Sequence, residues 1–169
     1  MSFKYLKQMP TPEEVKRELP LPEKYQKLKK ERDAVISDII TGKDDRFLVI
    51  IGPCSADNED AVCDYVNRLT AVQEKVADRV YIVPRIYTNK PRTTGSGYKG
   101  IASQPDPTKA PDMVEGLIAM RKMHIRLSRR AVLPAPTRCS TENWGYVEDL
   151  LSYVAIRRPV RGGSASPAD

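Results

Sequence analysis

The stretch FLVIIGPCSAD, residues 47–57, decides the fold class of this chain. Its first five residues are an uninterrupted apolar run, which is typical of a strand buried on both faces in a parallel sheet. A second apolar run, VYIV, begins at Val80. The residues between the two runs have helical periodicity, with Asp57 as the expected N-cap and Val72 as the last expected packing residue. Strand, helix and strand in this order predict a right-handed parallel unit and therefore an α/β fold.

Two helices are predicted before this unit. Thr11 is a suitable N-cap for the first, and Glu14 lies three residues later, where it completes a capping box. The second helix is expected over residues 22–41, because its apolar residues recur at helical spacing and Gly42 follows as a C-terminal stop.

The sequence after the second strand is less regular. Residues 88–111 are rich in Pro, Gly, Thr and Lys, and a loop of this length is usually functional or disordered. Asp112 is expected to open a further helix that reaches about Arg126, whereas residues 127–141 show no period. A short helix is expected over residues 142–151, followed by an apolar stretch and an unstructured tail. The expected packing residues of the helix after Asp112 are Met113, Leu117, Ile118, Met120, Met123 and Ile125.

Composition places the chain among globular proteins. Hydrophobic residues make up 40% and charged residues 30% of the 169 residues, and no apolar run reaches the length of about 18 residues that a membrane span needs. The N-terminus has no signal-peptide pattern, so a cytoplasmic protein without membrane association is expected. The three cysteines are an odd number and do not indicate a disulfide framework.

The net charge of +6 is compatible with either nucleic acid or small anionic substrates as partners. Basic residues concentrate at residues 27–32, 121–130 and 157–161, and the first cluster is expected to be a solvated helix face. No array of aromatic residues accompanies the charges, so nucleic acid is not the expected partner.

Candidate site residues follow the two strands, where parallel α/β folds place their chemistry. Cys54 follows the first strand, and taken alone it is equally compatible with a small buried apolar residue. Arg85, Lys90, Arg92 and Lys99 follow the second strand, with threonines and glycines among them. Guanidinium groups bind phosphate bidentately and glycines allow backbone amides to approach it, so this segment predicts a phosphate site.

These motifs give the chain a specific resemblance. VIIGPCSAD, followed about thirty residues later by PRIYTNKPRTTGSGYKG, resembles the class I 3-deoxy-D-arabino-heptulosonate-7-phosphate (DAHP) synthases. The resemblance covers residues 11–126 and resumes over residues 142–156. It implies a (β/α)8 (TIM) barrel with an N-terminal helical extension. It also implies a homo-oligomeric transferase that condenses phosphoenolpyruvate with erythrose 4-phosphate, at the entry to the shikimate pathway of aromatic amino acid biosynthesis.

The resemblance also implies roles for individual residues. Cys54 matches a metal ligand, and a thiolate suits a divalent cation such as Mn, Fe, Co or Zn. Lys90 matches the lysine that bridges the two substrates, and Arg85 matches a phosphoenolpyruvate ligand. Arg92 and Thr93 match the site for the phosphate of erythrose 4-phosphate.

Lys99 belongs to the same motif, and its match to a substrate ligand is less specific than that of Lys90. On this basis residues 1–42 are the predicted N-terminal helical extension and residues 43–156 an incomplete barrel, with residues 127–141 divergent. Residues 157–169 are predicted to be a disordered, out-of-frame tail.

The chain departs from the family pattern in its metal ligands. The family takes a His, a Glu and an Asp from the second half of the barrel, and the one histidine here, His124, does not correspond to any of them. A shifted reading frame offers one cause for the departures. Codons that encode a family-like peptide in one frame encode residues 127–141 when read one base later, and residues 157–164 behave in the same way.

Three interpretations therefore remain open. The chain is an active synthase completed by a partner that supplies the other ligands, an inactive fragment from a frameshifted gene, or a non-catalytic module that binds full-length subunits.

Overall fold

The computed structural model describes residues 7–90, 97–130, 137–138 and 141–152. Helix α1, Pro12–Glu18, begins with the predicted capping box: Thr11 Oγ1 accepts from Glu14 N, and Glu14 Oε2 accepts from Thr11 N at 2.8 Å. Helix α2, Glu23–Ile40, ends before Gly42, whose φ of 74° is the left-handed conformation that glycine tolerates. Both predicted N-terminal helices are therefore confirmed.

The basic cluster 27–32 on α2 is exposed at Lys27 and Lys30, as expected of a solvated helix face, but Arg32 departs from that expectation. Its side chain is buried, with 8% of the residue exposed, and burial lowers the pKa of its guanidinium while the neighbouring Tyr81 opposes that change. The methylene groups of an arginine side chain can pack against apolar residues, so a buried arginine is compatible with an apolar helix face.

The strands form a parallel arrangement. Strand β1, Phe47–Ile51, pairs with β2, Val80–Pro84, in the register that places Phe47 opposite Val80. Strand β3, Ile86–Tyr87, continues the chain after Arg85 and pairs in parallel with β4, Thr137–Arg138. The predicted parallel strand–helix–strand unit is confirmed, and β4 lies inside the segment that was predicted to be divergent.

Helix α3, Glu59–Val76, connects β1 to β2 and packs against β2. Asn58 is its N-cap, with Oδ1 accepting from Ala61 N at 2.9 Å, so the prediction of Asp57 was wrong by one residue. Asn and Asp are nearly equivalent N-caps, and the sequence alone did not separate them. Val72, an expected packing residue, is 45% exposed.

Helix α4, Met113–Arg130, begins at the predicted cap: Asp112 Oδ1 accepts from Val114 N and Glu115 N. It extends beyond the predicted end at Arg126, and Leu127 is buried with 1% exposure. The buried residues of α4 and α3 belong to the same hydrophobic core. On α4 the buried core residues are Leu117, Met120, Met123, Ile125 and Leu127. Of the other expected packing residues, Ile118 is half-buried and Met113 is 50% exposed.

Strand β1 is much less buried than the sequence predicted. Phe47, Ile50 and Ile51 are 71%, 39% and 45% exposed, whereas Tyr81, Ile82 and Val83 of β2 are at most 9% exposed. The prediction of burial on both faces was wrong for β1, because among the described residues only β2 lies beside it.

The segment after β4 is a 3₁₀-helix, Thr141–Tyr146, followed by turns to residue 150, where an α-helix was predicted. It packs against α1, and Tyr146 Oη donates to Pro10 O at 2.7 Å. Arg121 of α4 joins this segment to the end of α1. It binds Asp149 through two nitrogens and donates to Leu19 O and Tyr146 O.

The described residues thus form a mixed α/β fold with a partial parallel sheet. Within them, no helix is long and apolar enough to cross a membrane. The predicted apolar stretch that follows residue 152 and the predicted tail, 157–169, lie outside the described residues.

Candidate active site

The candidate site lies where β1 and β2 end. There the backbone just after β1, at Gly52, lies very close to the backbone just after β2, at Arg85. Arg85 N donates to Ile51 O at 2.7 Å, and a Cβ built on Gly52 would lie 1.8 Å from Arg85 O. No side chain other than hydrogen fits this approach, so Gly52 of the GPCS motif is required by the backbone of the neighbouring strand. The two motifs found in the sequence are therefore adjacent in space.

Arg85 binds the turn that precedes Cys54. Its Nη2 donates to Gly52 O at 3.2 Å and to Pro53 O at 3.0 Å, and its guanidinium carbon lies 5.5 Å from the ring centroid of Tyr87. Both hydrogen bonds come from the same terminal nitrogen, and a guanidinium group has five N–H donors in total. The remaining donors of Arg85 make no hydrogen bond to another described residue, and this is compatible with the predicted anion-binding role.

Cys54 is exposed and has a free thiol, so the alternative of a small buried apolar residue is wrong. Its loop is held against β3 by the hydrogen bond from Ala56 N to Tyr87 O at 3.0 Å. A thiolate here is chemically suited to a divalent transition metal. However, among residues 7–90, 97–130, 137–138 and 141–152 no three His, Cys, Asp or Glu side chains come together as a metal site. A metal site needs three or four ligands, so the described residues do not complete one.

His124 lies in α4, and its side chain is fully buried. Burial, together with the positive charge of Arg121, lowers the pKa of its imidazole to about 4. Neither ring nitrogen has a hydrogen-bond partner among the described residues. The prediction that His124 lies within this helix is confirmed.

Lys90 and Lys99 are brought together by the backbone. Lys90 N donates to Lys99 O at 2.9 Å, and Ala102 N donates to Thr88 O at 3.2 Å. Gly100 lies between them with a φ of 96°, and a Cβ on it would lie 2.2 Å from Thr88 O. The long predicted loop therefore has a closed base, with Lys90 half-buried and Lys99 exposed.

The predicted phosphate ligands Arg92 and Thr93 lie outside the described residues.

Tyr98 is a site residue that the sequence did not single out. Burial raises the pKa of its phenol to about 12, and the carboxylate of Asp57 acts in the same direction. The phenol is protonated at neutral pH with or without this shift, and the raised pKa extends the protonated range to alkaline pH. The sequence signal for Tyr98 is its position in the YKG motif, next to Lys99.

Comparisons with known proteins decide the family. A model of the DAHP synthetase I family matches residues 18–150, which is more than half of the chain. The chain belongs to the DAHP synthetase I family. This confirms the resemblance found in the GPCSAD and KPRTT motifs, and the matched span includes the segment 127–141 that showed no period.

Two relatives of this chain are named as phospho-2-dehydro-3-deoxyheptonate aldolases. The chain is 35% identical over 146 residues to the Tyr-sensitive phospho-2-dehydro-3-deoxyheptonate aldolase of Escherichia coli (strain K12), covering 86% of this chain and 41% of that protein. It is 39% identical over 127 residues to the phenylalanine-inhibited aldolase of Saccharomyces cerevisiae, covering 75% and 34%.

A solved structure, phospho-2-dehydro-3-deoxyheptonate aldolase from Francisella tularensis, matches the fold with a TM-score of 0.84 and 28% identity. The match covers 92% of this chain and 45% of that chain. The chain therefore spans less than half the length of these relatives.

Proposed function

We propose that this chain forms the N-terminal half of a (β/α)8 barrel of a DAHP synthase, which condenses phosphoenolpyruvate with erythrose 4-phosphate. The observation that carries the proposal is the adjacency of the two family motifs at the ends of β1 and β2, with Arg85 bound to the turn before Cys54. Catalytic groups in such barrels lie at this end of the strands.

The proposed roles follow from charge and position. Arg85 directs its unused donors at the phosphoenolpyruvate anion, and the bonds to Gly52 O and Pro53 O restrict its movement. Lys90 lies between the two substrates, where an ammonium group stabilises negative charge as C3 of phosphoenolpyruvate attacks the aldehyde carbon. Arg92 and Thr93 hold the phosphate of erythrose 4-phosphate, and Lys99 adds positive charge at the base of the same loop.

A divalent metal, which the family implies, is proposed to be bound by Cys54 together with ligands that are not among the described residues. When bound, it would supply Lewis-acid polarisation of the aldehyde. The described residues around Cys54 do not complete a metal site.

The test of this function is a fusion in which residues 1–150 are joined to the C-terminal part of the Francisella tularensis aldolase. Consumption of phosphoenolpyruvate is measured with erythrose 4-phosphate and each of Mn, Fe, Co and Zn. Lys90→Ala is expected to lower kcat by about 100-fold or more, since it removes a preorganised charge at the reacting centre.

Lys109→Ala is the matched control in this fusion. Lys109 lies in the same long loop, but its side chain is 78% exposed and pairs with Asp106. A fusion that turns over equally well with and without Lys90 would contradict the assigned role. No turnover with any metal would contradict the proposed function itself.

An inactive 169-residue chain is the second candidate, and it is favoured by the finding that, in the part of the chain the structure describes, the residues around Cys54 do not complete a metal site. We expect the unfused chain to show no turnover by itself. The reading-frame hypothesis for residues 127–141 and 157–164 is tested by the nucleotide sequence. An intact frame that encodes this chain without a one-base shift would eliminate it.

A further inference from the structure

The segment that continues β2 into β3 presents two side chains to the candidate site. Ile86 is fully buried in the core that α3 and α4 share, whereas Arg85 and Tyr87 on either side of it are half-buried. Side chains of an extended segment alternate between its two faces. Arg85 and Tyr87 therefore lie on the same face, which points away from that core, at the strand ends.

The ring of Tyr87 lies against the guanidinium group of Arg85. The guanidinium carbon is over the ring, 5.5 Å from its centroid, which is within the range of a cation–π contact. Arginine makes such contacts through the flat face of its guanidinium group. The ring therefore restricts the plane in which the N–H donors of Arg85 lie.

Hydrogen bonds hold the same guanidinium group at one edge. Nη2 of Arg85 donates to Gly52 O and Pro53 O, the two carbonyl groups that precede Cys54. These bonds alone allow the guanidinium plane to turn about the bonded nitrogen, and a ring against its face opposes that movement. The edge and the face together hold the donors at Nη1 and Nε in one orientation.

The backbone of Tyr87 has a separate contact with the site. Tyr87 O accepts from Ala56 N at 3.0 Å, so the loop that carries Cys54 is bound to the residue whose ring contacts Arg85. A substitution at residue 87 keeps this carbonyl group and changes only the side chain. The contribution of the ring can therefore be measured apart from that of the backbone.

We propose that Tyr87 is a positioning residue, whose ring holds the guanidinium group of Arg85 in the orientation that binds phosphoenolpyruvate. The inference rests on the proposed function, in which Arg85 binds this substrate. A side chain that is already ordered loses less conformational freedom when the anion binds, and the affinity is higher for that reason. Loss of the ring should therefore weaken binding without changing the fold.

Nuclear magnetic resonance on the full 169-residue chain tests the contact without any substrate. The Arg85 Nε–H signal is identified by its absence in Arg85→Lys. The ring current of an aromatic face shifts protons above it upfield, so this signal is expected upfield of that of the exposed Arg129. Tyr87→Leu should move it downfield, and Tyr87→Phe should leave it in place. Tyr25→Leu is the matched control, because Tyr25 is also half-buried and has Lys24 at 4.7 Å from its ring centroid.

Ligand-observed nuclear magnetic resonance then measures the affinity of the same variants for phosphoenolpyruvate. Tyr87→Leu is expected to raise Kd by about threefold to tenfold, because the cation–π contact and the order that it imposes are both lost. Tyr87→Phe and Tyr25→Leu should stay within about twofold of the wild-type Kd, because both keep an aromatic face over Arg85. Circular dichroism establishes that each variant is folded, and Tyr87→Met takes the place of a leucine variant that does not fold.

Four results would overturn the proposal. The first is an Arg85 signal that is not upfield in the wild type or does not move in Tyr87→Leu. The second is Tyr87→Phe binding as weakly as Tyr87→Leu, because the hydroxyl group would then matter and not the ring. The third is an unchanged Kd in Tyr87→Leu although the signal moves, because the contact would then be structural only. The fourth is a wild-type chain that does not bind phosphoenolpyruvate; this result contradicts the proposed function itself, and the Arg85 signal distinguishes it from a failure of the contact.

Discussion

Replacement of Arg121 by methionine tests how the end of α1 is joined to α4 and to the segment around Tyr146. The side chain of Arg121 is fully buried, and it donates to Leu19 O, to Tyr146 O and to both carboxylate oxygens of Asp149 at 2.7–2.8 Å. These partners belong to the C-cap of α1, to the last residue of the 3₁₀-helix and to the turns that follow it. Methionine retains most of the aliphatic volume but removes every donor.

The expected cost follows from the groups that lose their partner. Removing one member of a buried ion pair destabilises proteins by about 3–5 kcal/mol. The side chain of Asp149 is 34% exposed, so water can partly replace the guanidinium and the lower end of that range applies. Leu19 O and Tyr146 O lose a charged donor as well. We therefore expect Arg121→Met to lower the free energy of unfolding by about 3 kcal/mol, a large share of a typical stability of about 5–15 kcal/mol.

Urea denaturation followed by far-UV circular dichroism measures this change. Arg129→Met is the matched control on the same helix, because Arg129 is exposed, and we expect a change within about 0.5 kcal/mol. A double-mutant cycle with Asp149→Asn isolates the pair, with an expected coupling of about 1–3 kcal/mol. A loss below about 1 kcal/mol for Arg121→Met, or a coupling near zero, would refute the reasoning.

Three further changes test local features of the fold. Gly52→Ala places a methyl group 1.8 Å from Arg85 O, and we expect at least about 1–3 kcal/mol of destabilisation by urea titration; an unchanged midpoint would contradict the close approach. Burial and Arg121 lower the pKa of His124 from its ordinary value of 6.5 to about 4, so between these pH values only the unfolded chain binds the proton. Stability should therefore fall as the pH decreases from about 6.5 to about 4, and His124→Leu should flatten that part of the profile; an unaltered profile would exclude this histidine as its cause. Thr11→Ala removes the hydroxyl that accepts from Glu14 N in the capping box. It should lower the free energy of unfolding by about 1 kcal/mol, measured by thermal unfolding. Thr108→Ala, in a loop, is the comparison.

The sequence by itself determined the features that depend on neighbouring residues along the chain. The capping box at Thr11, the stop at Gly42 and the cap at Asp112 were predictable, because each uses a local hydrogen bond or a backbone conformation. The two apolar runs were predictable as parallel strands. The position of Cys54 just after the first run, and of Lys90 after the second, was enough to predict a site at the strand ends.

Only the tertiary structure decided which apolar and charged residues are buried. Phe47 and Leu127 are both apolar, yet one is 71% exposed and the other 1%, because burial depends on which elements lie alongside. Arg121 lies in a basic segment, but partners from two distant parts of the chain bind it in the core. Arg85 is likewise bound to a turn more than thirty residues earlier. Such contacts are set by packing across the fold, and the local pattern of a sequence does not contain them.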